Sequence, residues 1–166
     1  MGIGHTNEAR GGNFLFTVGD NRELTFSVQT ANVANVTMGT SPFYRGIKEL
    51  KIPSNTVIMT PLNLDIIVTE DYNEWLYIYK WMMLCKNNND SHLTQTKTCE
   101  LTPLSAQSQS TVKFLYTDCF PIELGEMQYA LNTDGSLVMT LSCILEYNVF
   151  KVIDQDGNVI DENYVG

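Results

Sequence analysis

The side chains able to do chemistry are few, and their spacing does not suit it. His5 lies in a polar, glycine-containing start and His92 in an asparagine-rich stretch, neither in a ligand or catalytic pattern. Glu123 and Glu126 are the nearest approach to paired carboxylates for acid–base work. They flank a corner marked by Pro121 and Gly125, where two carboxylates are expected simply to be solvated. Asp154, Asp156 and Asn158 alternate like the start of a calcium loop. Gly157 stands two positions too early for one, and the closing Glu is misplaced. Asp156-Gly157 is instead a hairpin turn signal. The four cysteines, Cys85, Cys99, Cys119 and Cys143, form no C-x-x-C pair and are expected as free, mostly buried thiols in a reducing cytosol. No zinc-protease, serine-hydrolase, phosphate-loop or dinucleotide motif occurs. The residues therefore point to no catalytic residue, no metal ligand and no cofactor.

Charge carries more information. The net charge is −9, and residues 118–166 hold nine of the acidic side chains against one base, Lys151. Tight nucleic-acid binding needs cations to neutralise phosphates, so this balance argues against it. The acidic excess favours solubility, or a surface that repels polyanions. No apolar run approaches the ~20 residues that cross a bilayer. The N-terminus lacks the basic start and apolar core of a signal peptide, and its Met-Gly with Thr6 only touches the myristoylation pattern.

The elements that would position these residues are mainly strands. Phe14, Phe16 and Val18 alternate, as do Leu24, Phe26 and Val28, with Gly19-Asp20-Asn21 between them, which predicts a hairpin. Residues 30–42 read as a connector. A second hairpin is expected from Phe43–Ile52 and Thr56–Thr60 around Pro53-Ser54-Asn55. Arg45, Lys48 and Lys51 are mixed there with Phe43, Tyr44, Ile47, Leu50 and Ile52, a pattern with no evident private core. It suits either a lysine-protected edge or an arm that pairs with another subunit. Leu62, Leu64, Ile66 and Val68 alternate, and then the period changes. Asp71 and Glu74 have capping-box spacing, and Trp75, Ile78, Tyr79, Met82 and Cys85 share a helical face, predicting one helix over about 71–87. Trp75, Tyr79 and Met82 are expected to pack it onto the sheet. Residues 91–110 hold little periodicity, and the stretch is long for a plain loop, with space for a short strand or a mobile segment. Thr111–Asp118 alternates, Cys119–Tyr129 turns a corner, and Ser136–Val152 is the longest strand signal, alternating from Leu137 to Val149. Such a strand would span about 55 Å at ~3.3 Å per residue. A short hairpin at Asp156-Gly157 and an acidic tail close the chain.

In this order the segments NFLFTV, LTFSVQTANV, the basic hairpin, LNLDIIVTED, YNEWLYIYKWM, CFPIELGEMQYAL and LVMTLSCILEYNVF resemble the tail tube protein of T4-like contractile-tailed bacteriophages. The resemblance covers roughly residues 13–152, and is most specific at the strand-to-helix passage ending in Trp81 and at the Pro121, Gly125, Glu126 corner. It implies a mainly β fold, a curved antiparallel sandwich or barrel with one packed helix, whose sheets join across subunits into a ring barrel. It divides the chain into a flexible arm (1–12), a tail tube domain (13–153) and an acidic hairpin and tail (154–166). It further implies homohexameric rings stacked into a hollow conduit, with sheath, baseplate and tail terminator proteins as partners. The implied particle is a virion tail assembled in the host bacterial cytoplasm, and DNA would cross the lumen without specific binding. Phe43, Tyr44, Arg45, Lys48, Lys51 and Ile52 would make contacts between rings or subunits, and Glu23, Asp65 and Glu146 would line the lumen. The departures at both termini and in the Ser/Thr/Gln-rich loop leave open a tube-initiating or tube-capping ring. A secretion-system tube and a β-rich ligand-binding module are the other readings the residues allow.

Overall fold

The computed structural model describes residues 14–19, 28–87, 95–105, 110, 112–131, 135, 137–161 and 163–164. Its strands are β1 (Phe14–Val18), β2 (Val28–Ala31), β3 (Val36–Arg45), β4 (Lys48–Met59) and β5 (Leu62–Ile67), followed by the helix α1 (Asn73–Asn87). Then come β6 (Lys97–Pro103), β7 (Lys113–Leu124), β8 (Thr140–Glu146), β9 (Val149–Ile153) and β10 (Val159–Ile160). Eight strands form one antiparallel sheet whose main path runs β1-β6-β7-β8-β5-β2, with β9 and β10 branching from β7. Among the described residues strands β3 and β4 pair only with each other. The fold is thus mainly β with a single helix among the described residues, as the patterning predicts.

The sheet closes round its core because β7 bends. Its first part pairs with β6 and β9, its last part with β8. Asp118 adopts φ 56° at the crossover, a left-handed kink that is costly for a non-glycine residue and re-aims the strand. The opposing strand breaks at the same level. The predicted run Ser136–Val152 is two strands, β8 and β9, separated at Tyr147-Asn148, so no 55 Å strand exists. Its alternation survives because β8 and β9 face successive parts of the same β7. Gly125 sits where a Cβ would lie 2.8 Å from the Ser142 carbonyl oxygen, and its N–H donates to that oxygen at 2.7 Å. Only glycine allows so close a backbone approach.

One core fills the bend. Leu62, Leu64 and Ile66 from β5, Leu141, Cys143 and Leu145 from β8, and Phe16, Val18, Cys99, Leu101, Tyr116 and Cys119 from the other strands are all buried. The four cysteines are free; three are buried and Cys85 is half-buried. Burial pushes the Cys143 thiol up to about 12.

Helix α1 begins two residues later than its capping signal. Tyr72 stands before it at φ 55°, and Glu74 accepts from Thr69 through the backbone N–H at 3.1 Å and the hydroxyl at 2.9 Å, instead of reaching back to Asp71. The side chains it buries are Ile78 and Trp81, flanked by Trp75, Tyr77 and Cys85. The indole N–H of Trp81 donates to the Gln95 carbonyl at 2.8 Å. Trp75 is half-buried against the core, Met82 is half-buried, and Tyr79 is exposed, stacked on Trp75 at 5.0 Å. The apolar stripe is rotated from its predicted centre towards Trp81.

Other boundaries also move. Among the described residues β1 and β2 do not pair; β1 lies on β6 and β2 on β5, at opposite ends of the sheet path. The predicted connector 30–42 is largely strand β3. The stretch 91–110 contains β6, the short strand it had room for. The turn at Asp156-Gly157 forms as read: Asp154 accepts from the Asp156 and Asn158 N–H groups at 2.9 Å, and Gly157 takes φ 82°. The arm 1–12, His5, Glu23 and His92 lie outside the described residues.

Candidate functional site

The β3–β4 pair is a long ladder that stands apart from the eight-stranded sheet. Its turn is Gly46-Ile47, not Pro53-Ser54-Asn55. Gly46 has φ 67° with a negative φ following, the two-residue hairpin turn that accepts glycine first. Pro53 is absorbed into β4 opposite Thr40, next to a bulge between Met38 and Thr40. There Gly39 leaves room for Ser54, whose hydroxyl oxygen would lie 2.5 Å from a Cβ. From Val36 to Met59 no residue is buried. The expectation that this segment lacks a private core is met over a longer stretch than the predicted hairpin.

Register sorts the arm's side chains. Ser41 faces Ile52, Phe43 faces Leu50, and Arg45 faces Lys48, so these six share one face. That face is an apolar strip ending in two cations. Pro42 with Lys51, and Tyr44 with Glu49, occupy the other. Phe43 is 51% exposed and Tyr44 66%. Neither Arg45, Lys48 nor Lys51 makes an ion pair among the described residues, where Lys113 to Glu100 at 3.5 Å is the only one. Like charges placed opposite each other across a ladder destabilise it. The Arg45–Lys48 pair is therefore a tip suited to an anionic partner.

A second surface lies on the outer side of β2, β5, β8 and the end of β7. Because buried residues alternate along β5 and β8, Asn63, Asp65, Ser142 and Glu146 point away from the core. Phe120 pairs with Glu146, and Glu123 with Ile144, which brings a third carboxylate to this face. Asp65, Glu123 and Glu146 share it with no described cation. Asp65 is fixed: it accepts from the hydroxyl of Thr30 on one side and of Ser142, at 2.8 Å, on the other. These two bonds, Thr30 first, hold its carboxyl below the usual aspartate value, so it stays ionised. The sequence reading placed Glu123 on a solvated corner; it lies instead in β7, where a bulge after Pro121 turns it to this face.

The helix offers a third surface. Leu76, Tyr79 and Leu84 are exposed, and Tyr79, Lys80, Met83, Leu84 and Asn87 line a shallow cleft of about 330 Å³. Asp65 and Glu146 thus lie together on one face, the six predicted contact residues lie on the arm, and no arrangement of described residues gathers three metal-ligand side chains.

With this geometry in place, comparison with known proteins is informative. No protein-family model matches the chain. It is 26% identical over 128 residues to the tail tube terminator protein of Enterobacteria phage T4, spanning 74% of this chain and 71% of that protein. Its fold superposes with a TM-score of 0.70 on a chain of the PVC sheath/tube terminator of an extracellular contractile injection system in the extended state, at 13% identity, covering 89% of this chain and 98% of that one. A chain of the anti-feeding prophage cap, the tube-terminating cap, matches with a TM-score of 0.69 at 13% identity, covering 93% of this chain and 96% of that one. The fold is tail-tube-like, and the resemblance to tube proteins of contractile tails holds.

Proposed function

We propose that this chain is a structural subunit that forms hexameric rings at the end of a contractile phage tail tube and caps it. The observation that carries the reading is the arm: the ladder Val36–Met59 exposes an apolar strip and a basic tip that pairs with no described carboxylate. The similarity to tube terminators moves the emphasis from a main tube subunit, the first expectation, to the end-ring alternative. β1 and β2 end the sheet path at opposite edges, so edge-to-edge pairing between neighbours would extend the sheet round a ring and cover both edges. The face bearing Asp65, Glu123 and Glu146 would then line the lumen, where like charge keeps DNA from sticking as it passes. The outer apolar side of the helix would meet sheath or sheath-end proteins. In this reading residues 13–153 are the tube domain, and the protein belongs to the virion tail, assembled in the host cytoplasm.

Electron microscopy of the purified protein tests this. Single rings with a central hole and six-fold averages are expected. Long tubes of stacked rings would favour a main tube subunit, and dispersed monomers a ligand-binding module instead.

A further inference from the structure

We propose that the basic tip of one copy's arm seats in the cleft at the root of a second copy's arm. This rests on the reading that copies associate through their arms, and it names the surface that receives them. A cleft of about 690 Å³ lies between the arm's root and the branch of the sheet that carries β9 and β10. Val36, Val57 and Met59 form one wall, Phe150, Val152 and Ile160 the other, and Asp161 and Asn163 stand at the rim. Val36 and Val57 are about half exposed there, at 52% and 45%, so the apolar walls face water in the isolated chain.

Three properties fit the cleft to the arm tip. The first is charge. Residues 154–161 hold three carboxylates and no cation, and Asp161 among them lines the cleft, while the arm tip presents Arg45 and Lys48 side by side. Asp154 is occupied by its own turn, accepting from the Asp156 and Asn158 backbones and the Asn158 amide. Asp161 accepts the Asn163 N–H on Oδ1 at 2.9 Å, which leaves its other oxygen, with Asp156 on the turn between β9 and β10, to meet a cation. The second is shape. On the tip the cations continue an apolar strip of Phe43, Leu50 and Ile52, which matches apolar walls with an acidic rim. The third is reach. Nine residue steps separate Val36 from Arg45, about 30 Å in an extended strand. The cleft is at the arm's own root, so the ladder cannot bring its tip back to it. The occupant is another copy. Tip and cleft are different surfaces, which makes the contact head-to-tail, able to close round a ring or link one ring to the next.

Charge exchange tests the pairing by sedimentation at physiological salt. Arg45→Glu with Lys48→Glu should weaken assembly at least about tenfold, and Asp156→Lys with Asp161→Lys should do the same, since close interfacial charge pairs couple strongly. The four changes in one chain restore the opposite-sign contact and should recover assembly. Arg45, Lys48 and Asp156 are exposed and Asp161 half-buried, and circular dichroism checks that each variant is folded. Assembly lost in both double variants and regained in the quadruple supports the proposal. If arm shortening abolishes assembly but the quadruple variant stays dissociated, the cleft is not the receptor, while arm-borne association stands. If the unaltered protein does not assemble at all, both fall.

Discussion

The hydroxyl of Tyr147 donates to the backbone carbonyl of Thr60 at 2.7 Å, joining the break between β8 and β9 to the residue that follows β4. Tyr147 also meets Tyr116 edge-on, with ring centroids 4.9 Å apart. Thr60 in turn is paired with Asn35 across the arm's root, donating its N–H to the Asn35 carbonyl at 3.1 Å and accepting the Asn35 N–H on its hydroxyl at 3.0 Å. The same corner that closes the core thus sets the direction in which the arm leaves it. Tyr147→Phe keeps the ring and removes the bond. It should cost about 0.5–1.5 kcal/mol in chemical denaturation, and amide exchange should quicken near Thr60. Unchanged exchange there would detach the arm's direction from this contact.

Trp81 anchors the helix and Tyr79 does not. Trp81→Ala should destabilise by about 3–5 kcal/mol, the range for truncating a large buried aromatic. Tyr79→Ala should stay within about 1 kcal/mol, as an exposed position normally does. Thermal melts of the two variants side by side give the comparison, and equal losses would return Tyr79 to the packing face.

Asp65 makes acid stability depend on two hydroxyls. Its folded-state carboxyl is held below its ordinary 3.8. Its contribution is therefore complete above that value and is lost as the pH falls through the lowered one. Removing Thr30 by Thr30→Ala should raise the Asp65 value towards ordinary and shift acid unfolding to higher pH, with Ser142→Ala doing so less. A carboxyl-carbon NMR titration reads this directly. An Asp65 value indifferent to both changes would show the carboxylate to be simply solvated.

Glu123 and Glu146 test the lumen without touching that bonded aspartate. Glu123→Lys with Glu146→Lys should leave rings intact while giving duplex DNA cationic partners. DNA retention by the rings at low salt should rise and should fall steeply as salt is added. Intact rings that hold DNA no better than the unaltered protein would remove these residues from the channel wall.

Much of this architecture is legible in the sequence. Strict alternation located β1, β5 and β8 because each has one buried face, and the change from period two to period 3.6 located the helix. What escaped is tertiary. The break at Tyr147-Asn148 leaves no mark because both halves alternate against the same β7. The kink at Asp118 is a left-handed residue that carries no glycine to announce it. Pro53-Ser54-Asn55 has turn chemistry, yet a bulge at Gly39 lets it stay in a strand, while the true turn rests on Gly46. The cations of the arm were readable. Their opposition across its tip was not, since register depends on where the turn falls.

The central claim is that the arm serves other copies and not its own fold. Thr40 and Pro53 are register partners, so a two-residue Asn-Gly turn can join them in place of residues 41–52. Sedimentation velocity of this shortened protein beside the unaltered one is the most direct measurement. The account predicts a six-copy species for the intact chain and a folded, cooperatively melting monomer for the shortened one. A shortened chain that still sediments as the intact assembly would contradict it.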